Sequence, residues 1–183
     1  MSNRVCLYLP PISGDYSGVC SALFDLGGMI CIHDAAGCTG NYTHFDEPRW
    51  YGSESMVYCT SLRKIDAILG DDEKFIGRIS EAAKRLKPEF IALVGSPVPN
   101  IIGFDFKGVA RAISSRTGIP AFGFATAGIK GSYKDGIVMA VKELTDYYSG
   151  LKGDKKASVG KKLNILGVTP LDIPEENLEY LRS

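Results

Sequence analysis

Short apolar runs recurring between helix-patterned segments constrain this chain most. Met29 to Ile32 (MICI), Phe90 to Val94 (FIALV) and Ile119 to Phe124 (IPAFGF) are too short for helices. They show little of the alternation of a half-buried strand, as expected for strands buried on both faces of a parallel sheet. Between them lie helical patterns. Phe75, Ile76, Ile79, Ala82, Ala83 and Leu86 share one face, with acidic residues at the start and Pro88 as the stop. Phe106, Val109, Ala110 and Ile113 form another face, ending near Gly118, and Ile137, Val138, Val141, Leu144 and Tyr148 a third. This alternation from about residue 56 to 148 predicts an α/β fold: a doubly wound, mostly parallel sheet of Rossmann/flavodoxin-like type, with helices on both faces.

The flanks are read the same way. Val5 to Leu9 is a short strand ended by Pro10-Pro11. Cys20, Leu23, Phe24 and Gly27 mark a helix face that closes at Gly27-Gly28. Residues 41–55 predict a long loop with at most one helical turn. Met56 to Thr60 and Lys64 to Leu69 are strand candidates, and SPVPNIIG (Ser96 to Gly103) a loop. Residues 1–150 are expected to form an N-terminal α/β domain and the Lys/Gly-rich 151–161 a linker. Residues 162–183, with KKLNILGVTPLD near their start, are expected to begin a second α/β domain, whose strand needs a partner in this domain's edge, another chain or downstream sequence.

Composition narrows the classes of function. Lys plus Arg and Asp plus Glu number 21 each, so nothing argues for nucleic acid or an anionic membrane surface. No apolar run approaches a membrane span, and the proline-broken N-terminus has no signal-peptide core. A cytoplasmic protein is expected.

The cysteines, at 6, 20, 31, 38 and 59, follow no zinc or C-x-x-C spacing. Cys6 and Cys31 fall in strand-like runs and Cys20 on a helix face, positions that suit core packing. Cys59 ends a strand at the entry to a turn. Cys38 lies in MICIHDAAGCTGNY, just past a buried strand and among small residues. Two readings stand side by side for it. It is either a small residue in a tight turn, or a thiol with a depressed pKa at a helix start, given room for a cluster or a second subunit. His33 closes the strand, where a tucked-in ring is expected, and His44 sits in an aromatic loop. Asp15, Asp34, Asp46 and Glu47 are expected to be solvated. No phosphate-loop motif occurs, and Gly123 to Gly131 (GFATAGIKG) is at most an anion-binding turn.

Three stretches in order resemble the N-terminal domain of the nitrogenase component 1 type oxidoreductase family. MICIHDAAGC is similar to the family's strand and small-residue turn ending in Gly-Cys. The run from Lys64 to Pro120 resembles its acidic helix start, its Lys-Pro before a strand, and its Pro-x-Ile-Ile-Gly loop. FATAGIKGSYKDGIVMAVKEL resembles its Gly-bearing turn and following helix.

The resemblance implies an iron–sulfur cluster at a subunit interface, held by three cysteines of this domain. Only the middle one carries over, as Cys38. The first falls near Ile12 or Ser13 and the third at Ser96-Pro97, while Phe104-Asp105 stands where the family has Asp-Asp. Cys38 is the implied metal ligand, with Cys20 and Cys59 as secondary candidates, and Gly37, Ser96 and Pro97 line the cofactor site. The implied partners are a component 1-type subunit, in a homo- or heterodimer, and an ATP-dependent iron–sulfur reductase. The expected function is relaying electrons to a metallocofactor or tetrapyrrole-like substrate. The alternative is a non-catalytic cofactor-assembly scaffold or pairing module without a cluster.

Overall fold

The computed structural model describes residues 14–151, so the strand expected at Val5 to Leu9, the linker beyond residue 151 and the second-domain start lie outside the described residues. The order is α1 (Asp15–Leu23), β1 (Met29–His33), α2 (Gly37–Asn41), a π-helical turn (Tyr42–Asp46) and a 3₁₀ turn (Pro48–Trp50). There follow β2 (Met56–Cys59), α3 (Lys64–Leu69), α4 (Asp72–Leu86), β3 (Ile91–Gly95), α5 (Pro97–Ile101), α6 (Phe106–Thr117), β4 (Ala121–Phe124) and α7 (Tyr133–Gly150).

The three apolar runs form β1, β3 and β4, with β1 and β3 at the centre of the sheet. The sheet order is β2-β1-β3-β4, and every pairing is parallel, with Met29 level with Met56 and Ile91, and Ile91 level with Ala121. Because β1 and β3 are buried along their whole length, their side chains feed two cores. Ile30, Ile32, Ala92 and Val94 meet Val19, Cys20 and Leu23 of α1 and Ala140 of α7. On the opposite face Met29, Cys31, Ile91 and Leu93 meet Ile76, Ile79 and Ala83 of α4 and Val109, Ala110 and Ile113 of α6. A domain with two such cores is the doubly wound architecture the alternation predicts.

α1 and α7 cross in close contact. A Cβ at Gly18 would collide with the Tyr133 carbonyl oxygen, and one at Gly136 with the Asp15 carbonyl oxygen. The helices touch backbone to backbone, which only glycine at both positions allows. This corrects the face expected for α7: Gly136 and Ala140 are its buried positions, whereas Val138, Val141 and Tyr148 are exposed.

Three further segments differ from expectation. Lys64–Leu69 is a helix rather than a strand, closed by Gly70 in the left-handed region at φ 65°. Its Ile65, Ile68 and Leu69 sit at helical spacing and point outward. Ser96 to Gly103 is not a plain loop, because Pro97 opens the short helix α5, where a missing N–H costs nothing. The loop at 41–55 holds two helical turns instead of one at most.

Candidate functional site

The strand order reverses between β1 and β3. In an open parallel sheet the crevice outside the carboxyl ends at such a point is where ligands bind. Here it is formed by the turns after His33 and Gly95. Ser96 bridges them: its hydroxyl donates to the His33 carbonyl at 2.8 Å, and the residue is fully buried. Pro97 follows, half-buried, as the first residue of α5.

Asp34 organises the first turn. Its carboxylate accepts the Ala36 amide at 3.0 Å and the Thr39 amide at 3.2 Å. This arrangement holds Ala36 at φ 117°, a conformation that costs an alanine roughly 1–3 kcal/mol. The carbonyl of Asp34 accepts from the Leu62 amide and from the Cys59 thiol at 3.4 Å. Asp34 is therefore buried and bonded rather than solvated.

Gly37 is exposed and Cys38 half-buried at the start of α2. The expectation of a depressed thiol pKa fails. Burial, and next the nearby Asp34 charge, push the Cys38 thiol up, against an opposing hydrogen bond from Tyr16. The five residues of α2 supply too little aligned dipole to outweigh a carboxylate. Tyr16 itself is pushed up to about 12, chiefly by burial. Cys20 is sealed in the α1 core, where burial raises its thiol well above the ordinary value. Burial raises Cys31 to about 12. Cys59 is half-buried at the end of β2 and accepts the Ser61 amide at 3.3 Å.

His33 is tucked in as expected. Its Nδ1 is 2.7 Å from the Thr60 hydroxyl, and its ring packs on Phe75 and Phe104 at 4.7 and 4.4 Å between centroids. Burial drives its pKa down to about 4, so it is neutral near pH 7. His44, by contrast, is exposed.

Two buried acids that were expected in solvent are structural. Asp15 accepts the Gly128 amide at 2.6 Å and the Ala127 amide at 3.2 Å. The turn at Gly123 to Gly131 does bind an anion, but the anion is the chain's own carboxylate. Glu47 accepts from Ser21 (2.8 Å), Tyr42 (3.1 Å) and Arg49 Nε (2.6 Å) and Nη2 (2.7 Å). Arg49 stacks over Phe24 at 4.7 Å. Asp46 is half-buried and accepts from Ser17 at 2.6 Å. Asp15 escaped notice because Ala127 and Gly128 lie far along the chain, and Glu47 although Arg49 is only two residues on; the local hint is that Asp15 opens α1 and Glu47 caps the 3₁₀ turn.

The carboxyl edge also presents apolar surface. Val98, Ile101 and Ile102 in and beside α5, and Ile129 in the facing turn, are all exposed. Lys130 bonds Asn100 between them at 3.0 Å. Among the described residues no helix is long and apolar enough to cross a membrane.

The fold is similar to a solved structure titled nitrogenase Cp1 at pH 5, with a TM-score of 0.60 and 23% identity over 75% of this chain and 31% of that one. The same comparison at pH 6.5 gives the same score. Among curated proteins, the chain is 26% identical over 123 residues to the nitrogenase iron-molybdenum cofactor biosynthesis protein NifE of Bradyrhizobium diazoefficiens, spanning 66% of this chain and 22% of that protein. It is 25% identical over 149 residues to the biosynthesis protein NifN of Rippkaea orientalis, spanning 78% of this chain and 32% of that protein. The chain thus spans less than a third of the length of either relative. The family model for nitrogenase component 1 type oxidoreductases matches residues 15–183. With the parallel sheet and the Gly-Cys turn in place, this chain belongs to the nitrogenase component 1 type oxidoreductase family.

Proposed function

We propose that this chain is the N-terminal module of a component 1-type subunit. It pairs with a second such subunit and helps to hold a metal–sulfur cofactor during assembly, without turning over substrate itself. One observation carries this reading. The carboxyl edge sets a half-buried thiol, Cys38, on the same rim as the exposed side chains of Val98, Ile101, Ile102 and Ile129. Such a surface suits a second subunit better than a closed small-molecule pocket. Similarity to NifE and NifN, both named for iron-molybdenum cofactor biosynthesis, supports the assembly role.

The three-cysteine set implied for an iron–sulfur cluster does not fit these residues. Ser96 and Pro97 stand at the third position, with the Ser96 hydroxyl engaged by His33. No three His, Cys, Asp or Glu side chains converge as a metal site among the described residues. No electron-transfer step is therefore assigned.

The second reading is an oxidoreductase subunit served by an ATP-dependent iron–sulfur reductase. It is favoured by the family itself and by the retained Cys38. Anaerobic purification of the full-length protein, with iron and acid-labile sulfide analysis and a Cys38→Ala variant, separates the two. Colourless wild type that forms a stable dimer or co-purifies with a component 1-type subunit supports the assembly module. Colour that is lost in the variant supports the relay. A colourless monomer with no partner overturns both.

A further inference from the structure

We propose that the α4 side of the sheet carries a site for a small amphipathic carboxylic acid. Arg78 and His33 take the carboxylate, and a trough between β2 and α4 takes the apolar body. This goes beyond the pairing role, since it uses neither Cys38 nor a second subunit.

The trough follows from how the helices are distributed. α4 and α6 pack on β1 and β3, which leaves the same face of the edge strand β2 open. Tyr58 is level with Cys31 and so shares its face, yet it is 43% exposed while Cys31 is sealed. On α4 the apolar arc is wider than the core requires. Ile76, Ile79 and Ala83 are buried in the core. Phe75, Ala82 and Leu86 lie at helical spacing with Ile79 and, together with Met29 and Tyr58, line a cavity of about 280 Å³. That volume is at the low end for a small-molecule pocket.

A polar end adjoins this trough. A second cavity, of about 50 Å³, shares Thr60, Phe75 and Arg78 with it and is lined also by His33. His33 is only 4% exposed. Its Nδ1 is engaged by the Thr60 hydroxyl, and its Nε2 has no hydrogen-bond partner among the described residues. The Asp34 amide already donates to Thr60 Oγ1 at 3.4 Å. The hydroxyl proton therefore goes to Nδ1, which puts the proton of the neutral ring on Nε2. Native folds rarely leave so buried a donor unsatisfied.

Charge decides what sits there. Asp66, Asp71, Asp72 and Lys74 also line the smaller cavity. Asp66 is paired with Lys74 at 3.5 Å. Asp71 caps α4, accepting the Lys74 amide at 3.0 Å, and Asp72 is exposed. Arg78 is the charged residue common to both cavities, and it makes no ion pair among the described residues. A guanidinium and an imidazole N–H are both donors, and a carboxylate, which only accepts, satisfies the two at once. An apolar body on that carboxylate covers the Phe75, Ile79, Ala82 and Leu86 stripe.

The test titrates the full chain with sodium octanoate by isothermal calorimetry, with octanol and acetate as controls. One saturable site is expected for octanoate. Octanol lacks the charge and acetate the body, so each should bind at least about tenfold more weakly. Arg78→Ala should weaken octanoate by about tenfold and leave octanol unchanged, with wild-type circular dichroism. Ala82→Phe fills the trough and should abolish octanoate binding. Should that variant fail to fold, histidine nitrogen NMR of wild type decides, since the chain has just two histidines. His33 must show the Nε2–H tautomer and shift with octanoate, while His44 stays still. No saturable octanoate binding, equal affinity for octanol, wild-type affinity in Arg78→Ala, or an unmoved His33 signal overturns the proposal. Absent octanoate binding with an altered oligomeric state in Leu86→Glu would assign the trough to a protein contact, and overturn it too.

Discussion

Asp15 and Gly128 are joined across the carboxyl edge of the sheet, the Gly128 amide donating to Oδ1 at 2.6 Å over a separation of 113 residues. The same carboxylate takes the Ala127 amide with both oxygens and the Tyr16 amide with Oδ1. Asp15→Ala removes the acceptor and strands buried amides, so a loss of roughly 2–3 kcal/mol is expected. Urea unfolding monitored by tryptophan fluorescence reads it directly. An unchanged midpoint would mean that the Thr126–Gly131 turn is held by something else.

Glu47 pins the segment between β1 and β2. The buried carboxylate accepts two guanidinium nitrogens of Arg49, and that pair is braced by Ser21 and Tyr42. Burial pulls the Arg49 pKa down, but the Glu47 hydrogen bonds and charge outweigh it and the net direction is up. Glu47→Leu leaves the arginine without its counter-ion, and a destabilisation on the order of 3 kcal/mol is expected. Limited proteolysis should then cut first within residues 41–55. Cleavage elsewhere, with this segment intact, would contradict the anchoring role.

His33 gives the fold a pH dependence with a definite sign. Its folded pKa is near 4, against 6.5 for an ordinary imidazole. Between those values the unfolded chain binds the extra proton, so stability is present in full above pH 6.5. It is lost as pH falls toward 4, by up to about 3 kcal/mol from this residue. Urea midpoints collected from pH 7 to pH 4 should fall less steeply in His33→Phe than in wild type. Parallel slopes would place the dependence on other groups.

Ser80 offers a gain. Its hydroxyl is buried in α4 with no hydrogen-bond partner among the described residues. Ser80→Ala removes an unsatisfied polar group and installs the best helix former, so about 1 kcal/mol of added stability is expected. A lower thermal midpoint in the variant would reveal a partner, such as an ordered water, that the hydroxyl depends on.

The sheet was legible in the sequence because MICI, FIALV and IPAFGF carry their burial in composition, and burial on both faces is what a central parallel strand needs. The sheet's carboxyl edge was legible for the same reason, since it lies wherever those runs stop. Errors arose where local signals compete. Ile65 and Ile68 suggested a strand, although their spacing with Leu69 suits a helix. The prolines of SPVPNIIG hid a helix that one of them starts. In α7 the larger apolar residues drew attention, whereas contact with α1 is made by Gly136 and Ala140, which carry almost no hydrophobic signal. Asp15 was unreadable as buried because its Ala127 and Gly128 partners come from the far end of the fold, and Glu47 because a Glu-x-Arg pair reads as a surface ion pair until Ser21 and Tyr42 are seen to enclose it. Cys38 lies at the edge, but its ionisation was misjudged because burial, and next the inward-turned Asp34 carboxylate, raise its pKa.

The glycine-to-glycine crossing of α1 and α7 bears on how the chain is made. α1 leaves the ribosome early, yet its seat is completed only when residues 133–150 follow. Until then the Ile30, Ile32, Ala92 and Val94 side of the sheet lacks one of its two covering helices. Synthesis therefore passes through a stage in which the strands can pair while one flank stays half-covered, the kind of intermediate that chaperones attend. The two ends of the described fold close it together, as a clasp fastened last.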